Sequence, residues 1–282
     1  MAVTAADVKA LREKTGAGPM ECKNALTECG GDMAKAEKFL KEKGLAAAEK
    51  RAERATNQGK ITIKHKANEV VLVETTTETD FVARNPEFIK LGELIAERAL
   101  EKGYGEPNEE LNGLVKDLAT KIRENMALKR LKLIKVGENE YADSYLHGDG
   151  AIGVVVVVSS DKPDSFKNEE LKAFIHDLAL HVAAFNPAAI SKEDIGAERI
   201  KEQEEIFHKQ METDEKLKGK PANVLEGILK GKINKWLAEI CLLDQNFVKD
   251  DKLSVAKALG EAGKKVGANL KIDTIIYFKV GA

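Results

Sequence analysis

Residues 148–153 read Gly148-Asp149-Gly150-Ala151-Ile152-Gly153, and five valines (154–158) follow. The first six residues spell GxGxxG, the spacing of a dinucleotide-binding turn. That turn needs a strand before it and a helix after it, because the helix N-terminus holds the pyrophosphate. Five β-branched residues in a row favour a strand instead. Asp149-Gly150 is also a strong hairpin-turn pair. The stretch therefore reads as a tight turn between strands at 141–146 and 152–158. This reading predicts an α+β chain with small antiparallel sheets and disfavours the dinucleotide-enzyme alternative, which needs a helix after Gly153.

Working outward, residues 60–66 (KITIKHK) alternate, and 70–76 (VVLVETT) follow after a short turn at Ala67-Asn68. Both predict strands. A helix is expected over 86–102, with Phe88, Leu91, Leu94, Ile95 and Leu100 as its apolar set. A second helix is expected over 109–125 and a third strand over 131–136. Downstream of the valines the order recurs as a helix at 169–185 and a last strand at 273–280. The likeness between the two units lies in element order, not residue identity. An insertion at about 187–236 interrupts the second unit. Ser191 and Asp194 fit a capping box there. Ile200, Phe207 and Met211 share one stripe, and Leu225, Ile228 and Leu229 another, on either side of Gly219-Lys220-Pro221. This predicts an antiparallel helical hairpin.

The first 44 residues read as three short helices. Thr4 caps the first, which carries Val8 and Leu11 and stops at Gly16. Pro19 opens the second, which runs through Met20, Cys22, Ala25 and Leu26 to Gly30-Gly31. Asp32 caps the third, with Met33, Ala36, Phe39 and Leu40 on one face and Gly44 at its end. The predicted organisation is a three-helix domain at 1–44 and a solvated helical linker at 45–58. A core N-subdomain at 59–140 and a core C-subdomain at 141–282 complete it.

Composition narrows the function. The 282 residues carry 45 Lys+Arg and 47 Asp+Glu, a formal net charge of -2. Nucleic-acid backbones call for a basic surplus or a basic face, and at 5% aromatics the chain lacks stacking platforms. No apolar run approaches the roughly 20 residues of a membrane span. The opening segment is charged and helix-like and lacks a signal peptide's apolar core. Cys22, Cys29 and Cys241 form no CxxC pair, so neither zinc nor a disulfide framework is expected. These features predict a reducing cytoplasm. No phosphate loop of the GxxxxGK[ST] type occurs. His176 and His181 lack metal spacing, and His65 and His208 read as surface residues. Nothing points to acid–base or nucleophilic catalysis.

Two features stand apart. Thr79-Asp80-Phe81-Val82 sets an aromatic beside a carboxylate on a loop between a strand and a helix. Either Phe81 plugs its own core, the usual outcome for a lone Phe, or the loop presents it for function. Thr15-Gly16-Ala17-Gly18-Pro19-Met20-Glu21-Cys22-Lys23 places an adaptable Met and a cation one helical turn apart beside a sharp turn. That is either a packed corner or a contact surface.

These motifs resemble the bacterial elongation factor Ts family over nearly the whole chain. The residues that carry the likeness are 11–18 (LREKTGAG) with Met20, Cys22, Lys23, Ala25 and Leu26, then Gly31-Asp32, and above all 78–83 (ETDFVA). Ser144-Tyr145, His147-Gly148, Ile152-Gly153-Val154 and 181–184 (HVAA) follow in order. The resemblance implies an N-terminal domain similar to ubiquitin-associated domains, a two-part α+β core and a coiled-coil hairpin insertion. It implies no covalent catalysis, no cofactor and no metal of the chain's own. The implied activity is guanine nucleotide exchange on the GTPase elongation factor Tu, by disturbing the partner's Mg²⁺ and GDP site. By the same analogy Phe81 is a wedge, Asp80 holds the loop and meets the partner's rim, and Thr79 and Val82 shape the loop. Arg12, Met20 and Lys23 would grip a helix of the GTPase, and His147 would touch it from the core. Pro19 stands where a second Met is familiar. The chain stops just past the last strand, where some members carry a further helical module. A homodimer or a heterotetramer with the partner is compatible with the family. The alternative from another class is a protein-binding adaptor without exchange activity; an RNA binder would need a basic face, and a steep salt dependence of RNA binding would reveal it.

Overall fold

The computed structural model describes residues 3–282, with the backbone alone at 45 and 47–49; the first two residues of the helix-like opening lie outside it. By its internal contacts the chain divides into two compact units. One holds Met1–Lys135, Leu146–Gly153 and Phe278–Ala282; the other holds Val136–Tyr145 and Val154–Tyr277.

The first unit begins with three helices, α1 (Ala5–Thr15), α2 (Pro19–Glu28) and α3 (Met33–Glu49). Their caps are those the sequence predicts. Thr4 and Asp7 form a capping box, Gly16 closes α1 at φ 67°, and Pro19 opens α2. The Asp32 carboxylate accepts the Lys35 N–H. Leu11, Cys22, Ala25, Leu26, Ala36 and Leu40 make a small buried core. The Cys22 thiol packs there and donates to the Ala17 carbonyl. Gly44 does not end α3, which runs on to Glu49. Its role is close approach: a Cβ there would lie 2.3 Å from Thr120 Cγ2 on helix α6 (Glu109–Ile122). Beyond Glu49 the linker is turn and extended chain, so its predicted helix covers only its first residues.

A three-stranded antiparallel sheet follows, in the order β1 (Gln58–Lys66), β2 (Glu69–Thr77), β3 (Met126–Lys135). Lys66 pairs with Glu69 across the Ala67-Asn68 turn. One face of the sheet is covered by α5 (Pro86–Lys102) and α6. Phe88, Leu91, Ile95 and Leu100 are buried there, whereas Leu94, expected on the same face, is 40% exposed. On the other face Ile61, Glu74 and Arg130 lie in register across the three strands. Gly153 comes close to Ile61: a Cβ would meet Ile61 Cγ2 at 2.4 Å. The GxGxxG segment is thus a turn with positive φ at Gly148, Asp149 and Gly150, leading into strand β5. The glycines serve the turn and this packing.

A cleft of about 420 Å³ lies between the N-terminal helices and α6. Lys14–Glu37 (3.6 Å) and Lys41–Asp117 (3.2 Å) pair along it. Exposed ion pairs contribute about 0–1 kcal/mol each, so polar pairs hold this seam only lightly.

The second sheet has the order β4 (Glu140–His147), β5 (Ile152–Ser160), β8 (Leu270–Lys279). The second unit also contains α7 (Glu169–Phe185) and the helical hairpin α8 (Ala197–Thr213) and α9 (Ala222–Ile240). Ser191 and Asp194 do form a capping box, but on a single turn of 3-10 helix ahead of α8. The sequence reading missed a short β6–β7 ribbon (Asn246–Phe247, Asp250–Ser254) and α10 (Val255–Val266).

His181 of α7 is fully buried. Its Nδ1 accepts the Val248 N–H at 3.2 Å, so Nε2 carries the proton and donates to Gln245 Oε1 at 2.9 Å. Phe185 and Phe247 stack on the ring. Burial holds the imidazole below its ordinary 6.5, against an opposing pull from Gln245. The unfolded chain therefore takes up this proton first as pH falls. The stabilisation is complete above about pH 6.5 and declines below it, until the folded ring also protonates. Urea unfolding should show stability falling as the pH drops below about 6.5. His181→Gln should lower stability at the higher pH and flatten that decline; an undiminished slope would assign the effect to other groups.

Candidate functional site

The segment 79–82 is not an open loop. It is a one-turn helix, α4 (Asp80–Ala83), capped by Thr79, whose Oγ1 accepts the Val82 N–H at 3.3 Å. Val82 and Ala83 point into the core shared with Val71, Val73 and Phe88. Successive residues on a helix are about 100° apart, so anchoring these two turns Phe81 outward. Phe81 is 82% exposed, and the reading in which it plugs its own core is overturned. Asp80 is exposed and pairs with Arg84 at 3.4 Å.

The turn rests on a polar base. The Glu124 carboxylate accepts the Thr79 N–H (3.1 Å), the Thr79 hydroxyl (2.8 Å) and the Thr77 hydroxyl (3.0 Å). Glu78 accepts the Asn125 N–H at 2.6 Å. The sequence reading ran the preceding helix through Asn125. The chain in fact leaves α6 at Arg123, in the left-handed region at φ 70°, which frees Glu124 and Asn125 for these contacts. No glycine marks that exit, and Glu124 is 45 residues from Thr79, so no local pattern could reveal the pair.

The second group sits where α1 turns into α2. Met20 is 65% exposed, and Arg12 and Lys23 are also exposed. Glu21 reaches back to the Gly18 N–H at 3.0 Å and pairs with Arg123. Those contacts, the Gly18 bond foremost, hold its carboxyl below the usual range. His147 ends β4 and is exposed, as is Leu146 beside it. The turn after His147 is tied to β1: the Ile61 N–H donates to the Gly150 carbonyl (2.7 Å) and Lys60 pairs with Asp149 (2.7 Å). Asp149 also feels the positive charge of Arg84 at the end of α4. This places the His147 turn near the Phe81 turn. Among the described residues no helix is long and apolar enough to cross a membrane.

Apolar and charged side chains thus project from short, internally braced turns, an arrangement suited to docking on another macromolecule. A sequence model of the family described as Elongation factor TS matches residues 78–282. Elongation factor Ts of Treponema denticola is 52% identical over 281 residues, covering 100% of this chain and 99% of that protein. Elongation factor Ts of Treponema pallidum subsp. pallidum is 48% identical over 292 residues, with 100% and 99% covered. Elongation factor Ts of Borrelia recurrentis is 41% identical over 282 residues, with 100% of both covered. The class is that of translation elongation factors, proteins of protein biosynthesis. Within it, the chain belongs to the elongation factor Ts family.

Proposed function

We propose that this chain binds the GTPase elongation factor Tu in its GDP state and speeds GDP release, so that GTP can rebind. The observation that supports this most directly is Phe81, held 82% exposed on a turn whose other apolar residues are buried. Mg²⁺ demands near-ideal octahedral geometry and bridges nucleotide to protein. A wedge that shifts the partner's elements around the metal loosens both metal and nucleotide. Phe81 supplies the apolar wedge. Asp80 meets the rim of the partner's pocket, Thr79 caps the turn and Val82 anchors it. Arg12, Met20 and Lys23 grip a helix of the GTPase, with apolar area from Met20 and orientation from the two cations. His147 touches the same domain from the core. The activity is exchange without covalent catalysis; the nucleotide and metal belong to the partner, and the setting is the cytoplasm.

Magnitudes require several contacts. Burying one Phe contributes about 1.5–3 kcal/mol, whereas a ~10⁴-fold change in nucleotide affinity takes about 5.5 kcal/mol of differential binding. Phe81 alone falls short, so the Met20 corner and the His147 turn must supply the rest. Linkage makes the effect reciprocal: GDP weakens this protein's binding by the factor by which the protein weakens GDP's.

Stopped-flow release of fluorescent GDP from a bacterial elongation factor Tu tests the proposal. Addition of this protein should accelerate release, and the complex of all three components should be transient. A stable complex that holds GDP as tightly as the free GTPase would overturn the exchange reading. Binding without faster release would leave an adaptor.

A further inference from the structure

We infer that Glu124 is a positioning residue for Phe81, and that Arg123-Glu124-Asn125 is the brace that aims the wedge. The inference rests on the exchange reading above for its functional consequence and on the geometry for its physical basis.

Glu124 takes three donors from a single short stretch, the Thr77 hydroxyl and both the N–H and hydroxyl of Thr79. Hydrogen bonds to a charged group are the stronger kind. Thr79 in turn caps the one-turn helix that carries Phe81. A four-residue helix has almost no stability of its own, since nucleation is the unfavourable part of helix formation. Its geometry must be imposed from outside, and Glu124 does so from beneath the cap.

The flanking residues hold the brace in place. The Asn125 N–H donates to Glu78, and its side-chain amide donates to the carbonyls of Ala52 (3.1 Å) and Arg54 (2.7 Å). Arg123 pairs with Glu21, next to Met20. Its own backbone sits at φ 70°, a region a non-glycine residue enters only against a steric penalty. One more turn of α6 would relieve that penalty but would carry Glu124 and Asn125 away from their partners. Consecutive residues therefore reach the base of the wedge and the helix that bears Met20. A wedge ordered before docking avoids the loss of about 0.5–1.5 kcal/mol per side chain immobilised on binding.

The test is a double-mutant cycle on accelerated GDP release, using the full chain. Glu124→Ala should slow release about three- to tenfold when Phe81 is present, with Glu124→Gln, which keeps one acceptor oxygen, retaining most of the rate. In the Phe81→Ala background Glu124→Ala should change little, because residues acting through one another are non-additive. An equal loss in both backgrounds would mean that Glu124 merely supports the fold and would overturn the inference. If the unaltered protein does not accelerate GDP release, the exchange reading is what fails; if Phe81→Ala accelerates it as much as the unaltered protein, only the wedge role of Phe81 fails. The brace is then judged by amide hydrogen exchange of the free protein. Thr79 and Val82 should lose protection in Glu124→Ala while Val71 and Val73 in β2 keep theirs. Retained protection at Thr79 would overturn it.

Discussion

Phe81→Ala is expected to slow accelerated GDP release roughly 10- to 150-fold while leaving the melting temperature unchanged. The rate follows from the burial of one Phe at about 1.5–3 kcal/mol, with about 1.4 kcal/mol per factor of ten. The unchanged stability follows from exposure: at 82% exposed, the ring is already in water and its removal opens no cavity. Phe88 provides the internal contrast. It is fully buried in the same core that anchors Val82, and Phe88→Ala should cost about 3–5 kcal/mol of stability. Stopped-flow release and a thermal melt on the two variants separate the roles. A Phe81→Ala protein that melts early would show that the ring packs at home. One that melts normally and exchanges normally would remove the wedge and leave the Met20 corner as the main contact. Some acceleration should survive in Phe81→Ala, because Arg12, Met20, Lys23 and His147 are untouched.

Where the chain carries explicit start and stop residues, the fold was legible. Asn85 and Pro86 open α5, and Gly103 closes it at φ 69°, so its predicted bounds coincide with the observed ones. Two helix ends misled. Gly44 reads as a helix stop, but its missing Cβ serves contact with Thr120 inside a continuing helix. Arg123 ends α6 in a conformation that usually announces itself with glycine. The sequence reading assigns nothing between the insertion and the last strand, although α10 within that stretch is amphipathic. The α4 turn is too short to show any period, so the sequence could not say which way Phe81 faces. That direction is set by Val82 and Ala83 finding a core assembled from β2, α5 and α6. The base beneath it depends on Glu124, far along the chain, and long-range partners leave no trace in local spacing.

Arg130→Ala is expected to lower the stability of the first unit by about 1–3 kcal/mol, because it leaves the buried Glu74 carboxylate without its cation, while Arg130 itself is a third exposed. Glu74 is fully buried in the central strand. Arg130 is its cross-strand register partner and donates to it at 2.5 Å. The Gly281 N–H supplies a second donor at 3.1 Å, too little by itself to replace a cation. Arg130 also stacks on Phe278 (4.4 Å to the ring centre) and donates to the Lys279 carbonyl at 2.9 Å. Its loss therefore strands a carboxylate and loosens the end of the chain from the sheet. Replacing both partners by Met should recover much of the loss, because the desolvation penalty leaves with the charge. Urea unfolding of the single and double variants decides the matter. A loss below about 1 kcal/mol in Arg130→Ala would mean that Glu74 behaves as a surface pair does. A double variant no more stable than the single would locate the energy in the Phe278 and Lys279 contacts. Because Arg130 and Phe81 lie in the same unit but share no partner among the described residues, Arg130→Ala should reduce exchange only in proportion to the folded protein lost. Its rate per folded molecule should stay that of the unaltered chain, whereas Phe81→Ala should show the reverse.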